Sequence, residues 1–138
     1  MIVFVDTNIF LDVLLNREGL ATDSESVLNR CSRPGYSMYT SSMSFTNITY
    51  FLTKYRPGEA KILLQALLKK VYIAETRSKD FQKALQSNFH DLEDAYQYYT
   101  ALQIRGMKYF ITRNIKHYKH SVISVVTPAA FLSATQEK

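Results

Sequence analysis

The 138-residue chain predicts an α/β protein in which helices cover both faces of a mostly parallel sheet. Three observations carry that expectation. The chain opens on a continuous apolar run, Ile2 to Val5, followed at once by a turn and an amphipathic stretch. Short β-branched or aromatic runs then alternate with helical periodicities along the whole length. A second buried run, Tyr109 to Ile111, follows a long helix that begins with acids. Strands that alternate with helices pair in parallel, and the crossover helices pack on the two faces.

Taken in order, Ile2, Val3, Phe4 and Val5 read as a strand buried on both faces. Asp6 ends it, Thr7 and Asn8 offer capping oxygens, and Ile9, Phe10, Val13 and Leu14 repeat at helical spacing. A helix over 23–33 carries Val27, Leu28 and Cys31 on one stripe and stops at Arg33, Pro34 and Gly35. Residues 36–40 form a short strand. After Ser41 and Ser42, the recurrence of Phe45, Ile48, Tyr50, Phe51 and Leu52 predicts a helix over 44–55 despite several β-branched residues. Pro57 and Gly58 break the chain before an amphipathic helix over 59–70. A strand over 71–74, a short helix over 79–87 and a long helix over 91–105, ended by Gly106, follow. The period then changes to a strand over 108–112 and a last strand over 122–126, and Pro128 opens a terminal helix at its preferred first position. Neither an internal repeat nor a linker interrupts this order, so residues 1–138 read as one domain.

Composition narrows the function classes. Hydrophobic residues make up 46% of the chain, enough for a real core. The single cysteine, Cys31, has no partner for a disulfide and no Cys or His at metal-ligand spacing, which implies a reducing compartment. The apolar start is interrupted by Asp6, Asn8 and Asp12, so it fits neither a signal peptide nor a membrane span, and a cytoplasmic protein is expected. A net charge of +5 favours a polyanionic partner.

The acids carry the chemistry. Asp6 stands at the carboxyl end of a strand, where open α/β sheets bind their ligands, although capping the next helix is the simpler use of it. Asp91 and Asp94, three residues apart, project from one side of a helix start. They cap that helix together with Glu93, or they contribute to a hard-cation site. Mg²⁺ or Mn²⁺ prefers oxygen ligands, and carboxylates from a strand end and a helix start can converge on one ion, with Asp6 and Asp94 as anchors. Such an ion supports phosphodiester hydrolysis.

The DTN of residues 6–8, the DAYQYYTA of 94–101 and the TRN of 112–114, in this order and on these elements, resemble the hallmarks of the PIN domain. The resemblance covers nearly the whole chain. It implies a PIN-like three-layer α/β/α sandwich and Mg²⁺- or Mn²⁺-dependent endonucleolytic cleavage of RNA. Small stand-alone members are typically VapC-type toxins of toxin–antitoxin pairs, often homodimers held by a cognate antitoxin.

Carried over by residue, Asp6 matches the family's first acid and Asp94 the acid of the long helix. The second acid falls on or near Asn47 and the acid after the next-to-last strand on Asn114; relatives with Asn there often place an Asp three residues later, where this chain has His117. The resemblance thus implies Asp6, Asp94, Asn114 and Asn47 as catalytic residues, with Asp6, Asp94, Asn114 and the neighbouring Asp91 as metal ligands. Fewer carboxylates imply weaker metal affinity. Asn8 and Thr112 would orient Asp6 through hydrogen bonds. Arg113, Lys116 and His117 lie just past a strand end, placed to meet RNA phosphates or to be ordinary solvated loop charge. Asp12 pairs with Arg17 or faces water, and His90 and His120 lack ligand spacing. Tyr96, Tyr98 and Tyr99 read as core or interface residues, or as platforms for bases. The alternative function is a catalytically degenerate PIN domain that binds RNA or protein. A phosphotransfer role for Asp6 is disfavoured, because no second Asp follows two residues later and no Gly-rich phosphate loop exists.

Overall fold

The computed structural model describes residues 1–119 and 121–136; His120 lies outside them. Among the described residues five strands form one sheet: β1 (Ile2–Val5), β2 (Ser37–Ser41), β3 (Tyr72–Ala74), β4 (Met107–Ile111) and β5 (Val125–Val126). Their order is β3-β2-β1-β4-β5 and every pairing is parallel. The chain builds outward from β1 to β3, then returns to place β4 on the other side of β1. The carboxyl ends of β1 and β4 therefore flank the point where the strand order reverses, the usual ligand crevice of such sheets.

Among the described residues seven α-helices cover the faces: α1 (Thr7–Leu14), α2 (Ala21–Cys31), α3 (Ser42–Tyr55), α4 (Ala60–Lys70), α5 (Ser78–Leu85), α6 (Leu92–Leu102) and α7 (Pro128–Ala134). The pleat of β1 divides the core. Val3 and Val5 enter one cluster with Ile9, Phe10, Val27, Ile48, Leu52 and Phe131, from α1, α2, α3 and α7. Phe4 enters the other with Phe110, Tyr98, Ala101 and Tyr118, beneath α6. Phe4 and Phe110 stack on adjacent strands with centroids 5.0 Å apart, a pair worth about 0.5–1.5 kcal/mol beyond its burial. Cys31 is buried in the first cluster, and burial pushes its thiol up to about 12. No described helix is long and apolar enough to cross a membrane.

Most elements fall within two residues of the sequence pattern, and the larger differences lie after α5. The helix expected over 91–105 closes at Leu102. Gln103 and Ile104 donate to Thr100 and Ala101 in tightened i→i−3 bonds, and the chain turns through Gly106 at φ +80°, a conformation a Cβ would strain. The strand expected over 122–126 shrinks to Val125–Val126, because Val122 is 84% exposed and the Ser121 hydroxyl donates to the Ile123 carbonyl in a local turn. A short 3-10 helix, Ile115–Tyr118, follows β4 where the pattern showed no element.

Candidate functional site

A cleft of about 410 Å³ opens at the carboxyl ends of β1 and β4, and Asp6, Asn8, Asn47, Glu93, Asp94, Gln97 and Asn114 are among its lining residues. The turn from β1 into α1 places Asp6: its Oδ1 accepts the Thr7 backbone N–H at 2.8 Å and so caps α1. Gln97 Nε2 donates to the same oxygen at 3.1 Å. Oδ2 accepts the Thr112 hydroxyl at 2.8 Å and the Asn8 amide at 3.4 Å. Asp6 is only 6% exposed. Burial raises its carboxyl above the usual carboxylate range, against the lowering effect of Thr112, Gln97 and Thr7, while the charge of Glu93 adds to the rise.

Asp94 reaches the cleft from the first turn of α6. Asp91 caps that helix, accepting the Asp94 backbone N–H at 3.0 Å. The side chain of Asp94 is 17% exposed, and burial raises its carboxyl too, partly offset by a hydrogen bond from His117; the charges of Asp91 and Asp6 raise it further. His117 Nδ1 contacts Asp94 Oδ2, and the Tyr118 hydroxyl donates to Oδ1 at 3.4 Å. Burial and these acids keep the Tyr118 phenol protonated.

The other expected site residues fall in different places. Asn47, on α3, lines the cleft and donates through Nδ2 to Glu93 Oε1 at 2.9 Å. Asn114 lines it from the loop after β4, its backbone N–H held by the Thr112 hydroxyl at 3.1 Å. Asp91 lines a neighbouring cavity of about 510 Å³ instead, together with Phe89, His90, Lys116, His117 and Lys119. Arg113 turns away from both cavities. Its Nε and Nη2 donate to Asp12 Oδ2 and Oδ1 at 2.7 and 3.0 Å. Asp12 is fully buried and also accepts from the Ser24 hydroxyl and from Arg17. Tyr98 is core, and its hydroxyl accepts the Val122 backbone N–H.

Two residues of the cleft escaped the sequence reading. Gln97, 4% exposed, ties the floor together, with its amide on Asp6 and Ser44 and its carbonyl accepting from Ser41. A polar residue one helical turn after Asp94, on the stripe that continues to Ala101, was the available signal. Glu93 reads from the sequence as helix-end charge alone.

Two acids brought from a strand end and a helix start into one crevice define a polar α/β cleft fitted to a cation or phosphate chemistry. The chain belongs to the PIN domain family, whose model matches residues 2–116. No curated protein matches the chain. Among solved structures, it is similar to a toxin–antitoxin complex from Klebsiella pneumoniae, with 25% identity, a TM-score of 0.67, and 91% of this chain and 97% of that one covered. It is also similar to VapBC2 from Rickettsia felis, bound to a DNA fragment from their promoter, with 16% identity, a TM-score of 0.65, and 92% and 98% covered. A third is VapC20 of Mycobacterium tuberculosis, a sarcin-ricin loop cleaving toxin, with 14% identity, a TM-score of 0.61, and 78% and 86% covered. The last two likenesses show the fold alone.

Proposed function

We propose that this PIN domain is a Mg²⁺- or Mn²⁺-dependent endoribonuclease, the VapC-type toxin of a toxin–antitoxin pair, acting as one domain in the cytoplasm. The observation that carries the reading is the meeting of Asp6 and Asp94 in one crevice at the reversal point of the sheet, in a chain with net charge +5. The toxin–antitoxin complexes among the structural neighbours support a cognate antitoxin, and the family resemblance implies a homodimeric toxin.

The donor set fits a hard cation. Oxygen-bearing side chains of Asp6, Asp94, Asn47, Asn114 and Glu93 line the cleft, with no cysteine or histidine among the described lining residues. Among the described residues no three Asp, Glu, His or Cys side chains stand close enough together to cage an ion. That suits Mg²⁺, which keeps several waters and needs only one or two carboxylates. Asp6 and Asp94 would hold the ion, with Asn114 and Asn47 offering amide oxygens. When bound, the ion lowers the pKa of water and polarises a phosphoryl oxygen. Thr112, Gln97 and Asn8 fix the plane of the Asp6 carboxylate, so its lone pairs are aimed before RNA arrives. Lys116, with Lys119 and His117 beside the adjoining cavity, offers positive charge to the phosphates flanking the scissile bond. Water enters in line with the departing oxygen, one P–O bond forms as the other breaks, and no covalent enzyme intermediate arises.

A second reading, a non-cleaving RNA- or protein-binding domain, is favoured by one contact: the His117 ring rests on Asp94 Oδ2, a position a cation would need. Induced expression separates the two. The nuclease reading predicts growth arrest with new RNA ends, abolished by Asp6→Asn and by Asp94→Asn; arrest that survives both substitutions, or no new ends, overturns it.

A further inference from the structure

The cavity beside the cleft, about 510 Å³ in volume, lies between the loop that joins α5 to α6 and the 3-10 helix that follows β4. The loop contributes Asn88, Phe89 and Asp91, and the other wall contributes Lys116, His117 and Lys119. An aromatic ring, two ammonium groups and hydrogen-bonding side chains around one hollow match the parts of a nucleotide: a π-face, a phosphate and the polar edge of a base. Phe89 is half-buried, and its ring is braced by Tyr98, Tyr99 and Tyr118 at centroid distances of 5.1, 6.2 and 5.9 Å. The Ser87 hydroxyl holds its backbone N–H at 3.3 Å. A ring fixed in this way loses little freedom when a base stacks on it. The rings that serve only the core are covered, Tyr98 at 4% and Tyr118 at 3% exposure, whereas Phe89 keeps surface in the cavity. The cavity also adjoins the crevice. His117 lines it and contacts Asp94 Oδ2, and Tyr118, which packs on Phe89, donates to Asp94 Oδ1 at 3.4 Å.

We infer that this cavity is a base-binding subsite for single-stranded RNA next to the scissile bond: the base stacks on Phe89, Lys116 and Lys119 meet its phosphates, and Asn88 and Asp91 meet its edge. The inference rests on reading the cleft as the cutting site of an endoribonuclease. Asp91 gives Oδ1 to the Asp94 backbone N–H in the cap of α6, which leaves its second oxygen for a ligand. An ionised carboxylate only accepts hydrogen bonds, so it selects a base with an exocyclic amino group. Cytosine carries that group where uracil carries a carbonyl oxygen, which the charge of Asp91 repels.

The test is the binding of fluorescein-labelled oligocytidine and oligouridine to the full chain in chelator, read by fluorescence anisotropy, so that no cutting enters the measurement. The two bases have rings of the same size, and their difference isolates the amino group. Wild type is expected to bind oligocytidine about fivefold or more tightly than oligouridine. Phe89→Leu keeps an apolar side chain against the tyrosines but has no π-face; it is expected to weaken both oligomers about fivefold or more, and Phe89→Tyr to retain them. Asp91→Asn still caps α6 and is expected to narrow the difference between the oligomers without weakening oligouridine. Thermal melting of each variant shows that it is folded. Phe89→Leu binding both oligomers as tightly as wild type overturns the stacking site. No preference for cytosine in wild type, or the same preference in Asp91→Asn, overturns the reading of the edge, and a wild type that binds neither oligomer overturns the subsite. Mapping cuts on mixed RNA in Mn²⁺ separates this from the nuclease itself. Cuts by Phe89→Leu at wild-type positions and with wild-type KM overturn the subsite and leave the nuclease standing, whereas binding with the expected dependences and no cuts supports the base site and overturns the nuclease.

Discussion

Arg113 and Asp12 form a two-point ion pair between the end of β4 and the interior of α1, with N···O distances of 2.7 and 3.0 Å and Asp12 wholly buried. The pair clamps the loop that carries Asn114 onto the helix that Asp6 caps, so the two sides of the cleft share one fixed reference. Arg113→Ala strands the Asp12 carboxylate with Ser24 and the more distant Arg17. Breaking a buried pair from one side costs about 3–5 kcal/mol, and urea denaturation of the variant is expected to show that loss. Unchanged stability accompanied by weaker RNA binding would place Arg113 on phosphate instead.

The raised carboxyls of Asp6 and Asp94 make a prediction with a definite sign. Folded Asp6 holds its proton above the ordinary value of 3.8, because burial outweighs its hydrogen bonds. Its contribution to stability is therefore present below that ordinary value and is lost as pH rises through the elevated folded value. Asp94 shifts in the same direction. In metal-free protein, Asp6→Asn is expected to gain melting temperature relative to wild type on going from about pH 4 to about pH 7.5. An excess of Mn²⁺ should reverse the order at the higher pH, adding about 2.7 kcal/mol to wild type at a hundredfold excess over Kd and nothing to the variant. Calorimetric scans with and without metal check both statements.

Gln97 joins Asp6 to the hydroxyls of Ser41 and Ser44 from a position 4% exposed. Gln97→Ala leaves these groups short of partners, at about 1–3 kcal/mol. Because Asp6 loses a donor that fixes its plane, RNA cleavage is expected to fall in kcat more than in KM. A fall confined to KM would contradict the positioning role.

Lys116 is exposed and lines the cavity adjoining Asp94 together with Lys119 and His117. Lys116→Ala should weaken binding of single-stranded RNA, reduce the slope of log K against log salt by about 0.7, and leave thermal stability unchanged. An unchanged slope would show that no phosphate meets this lysine.

The opening strand and helix were legible because their signals are local: an apolar run, a capping acid, then apolar residues at helical spacing. The pairing of Asp6 with Asp94 followed once both were placed at the same ends of their elements. What the sequence hid depends on partners far along the chain. Arg113 lies three residues before Lys116 and reads with it as loop charge, but its partner, Asp12, is 101 residues away. Glu93 looked like helix-end charge until α3 brought Asn47 against it, 46 residues earlier. Asp91 followed its simpler use, the cap of α6. The 3-10 helix of Ile115–Tyr118 is too short to show a period, so the path that carries His117 back to Asp94 left no pattern to read.

The central claim is that Asp6 and Asp94 support cleavage of RNA, and it is tested most directly with purified protein on a labelled mixed RNA pool in Mg²⁺, in Mn²⁺ and in chelator. The account predicts discrete internal cuts with either metal, none in chelator, and none from Asp6→Asn or Asp94→Asn. Cleavage that persists in chelator or in either variant, or RNA bound but uncut in both metals, would contradict it.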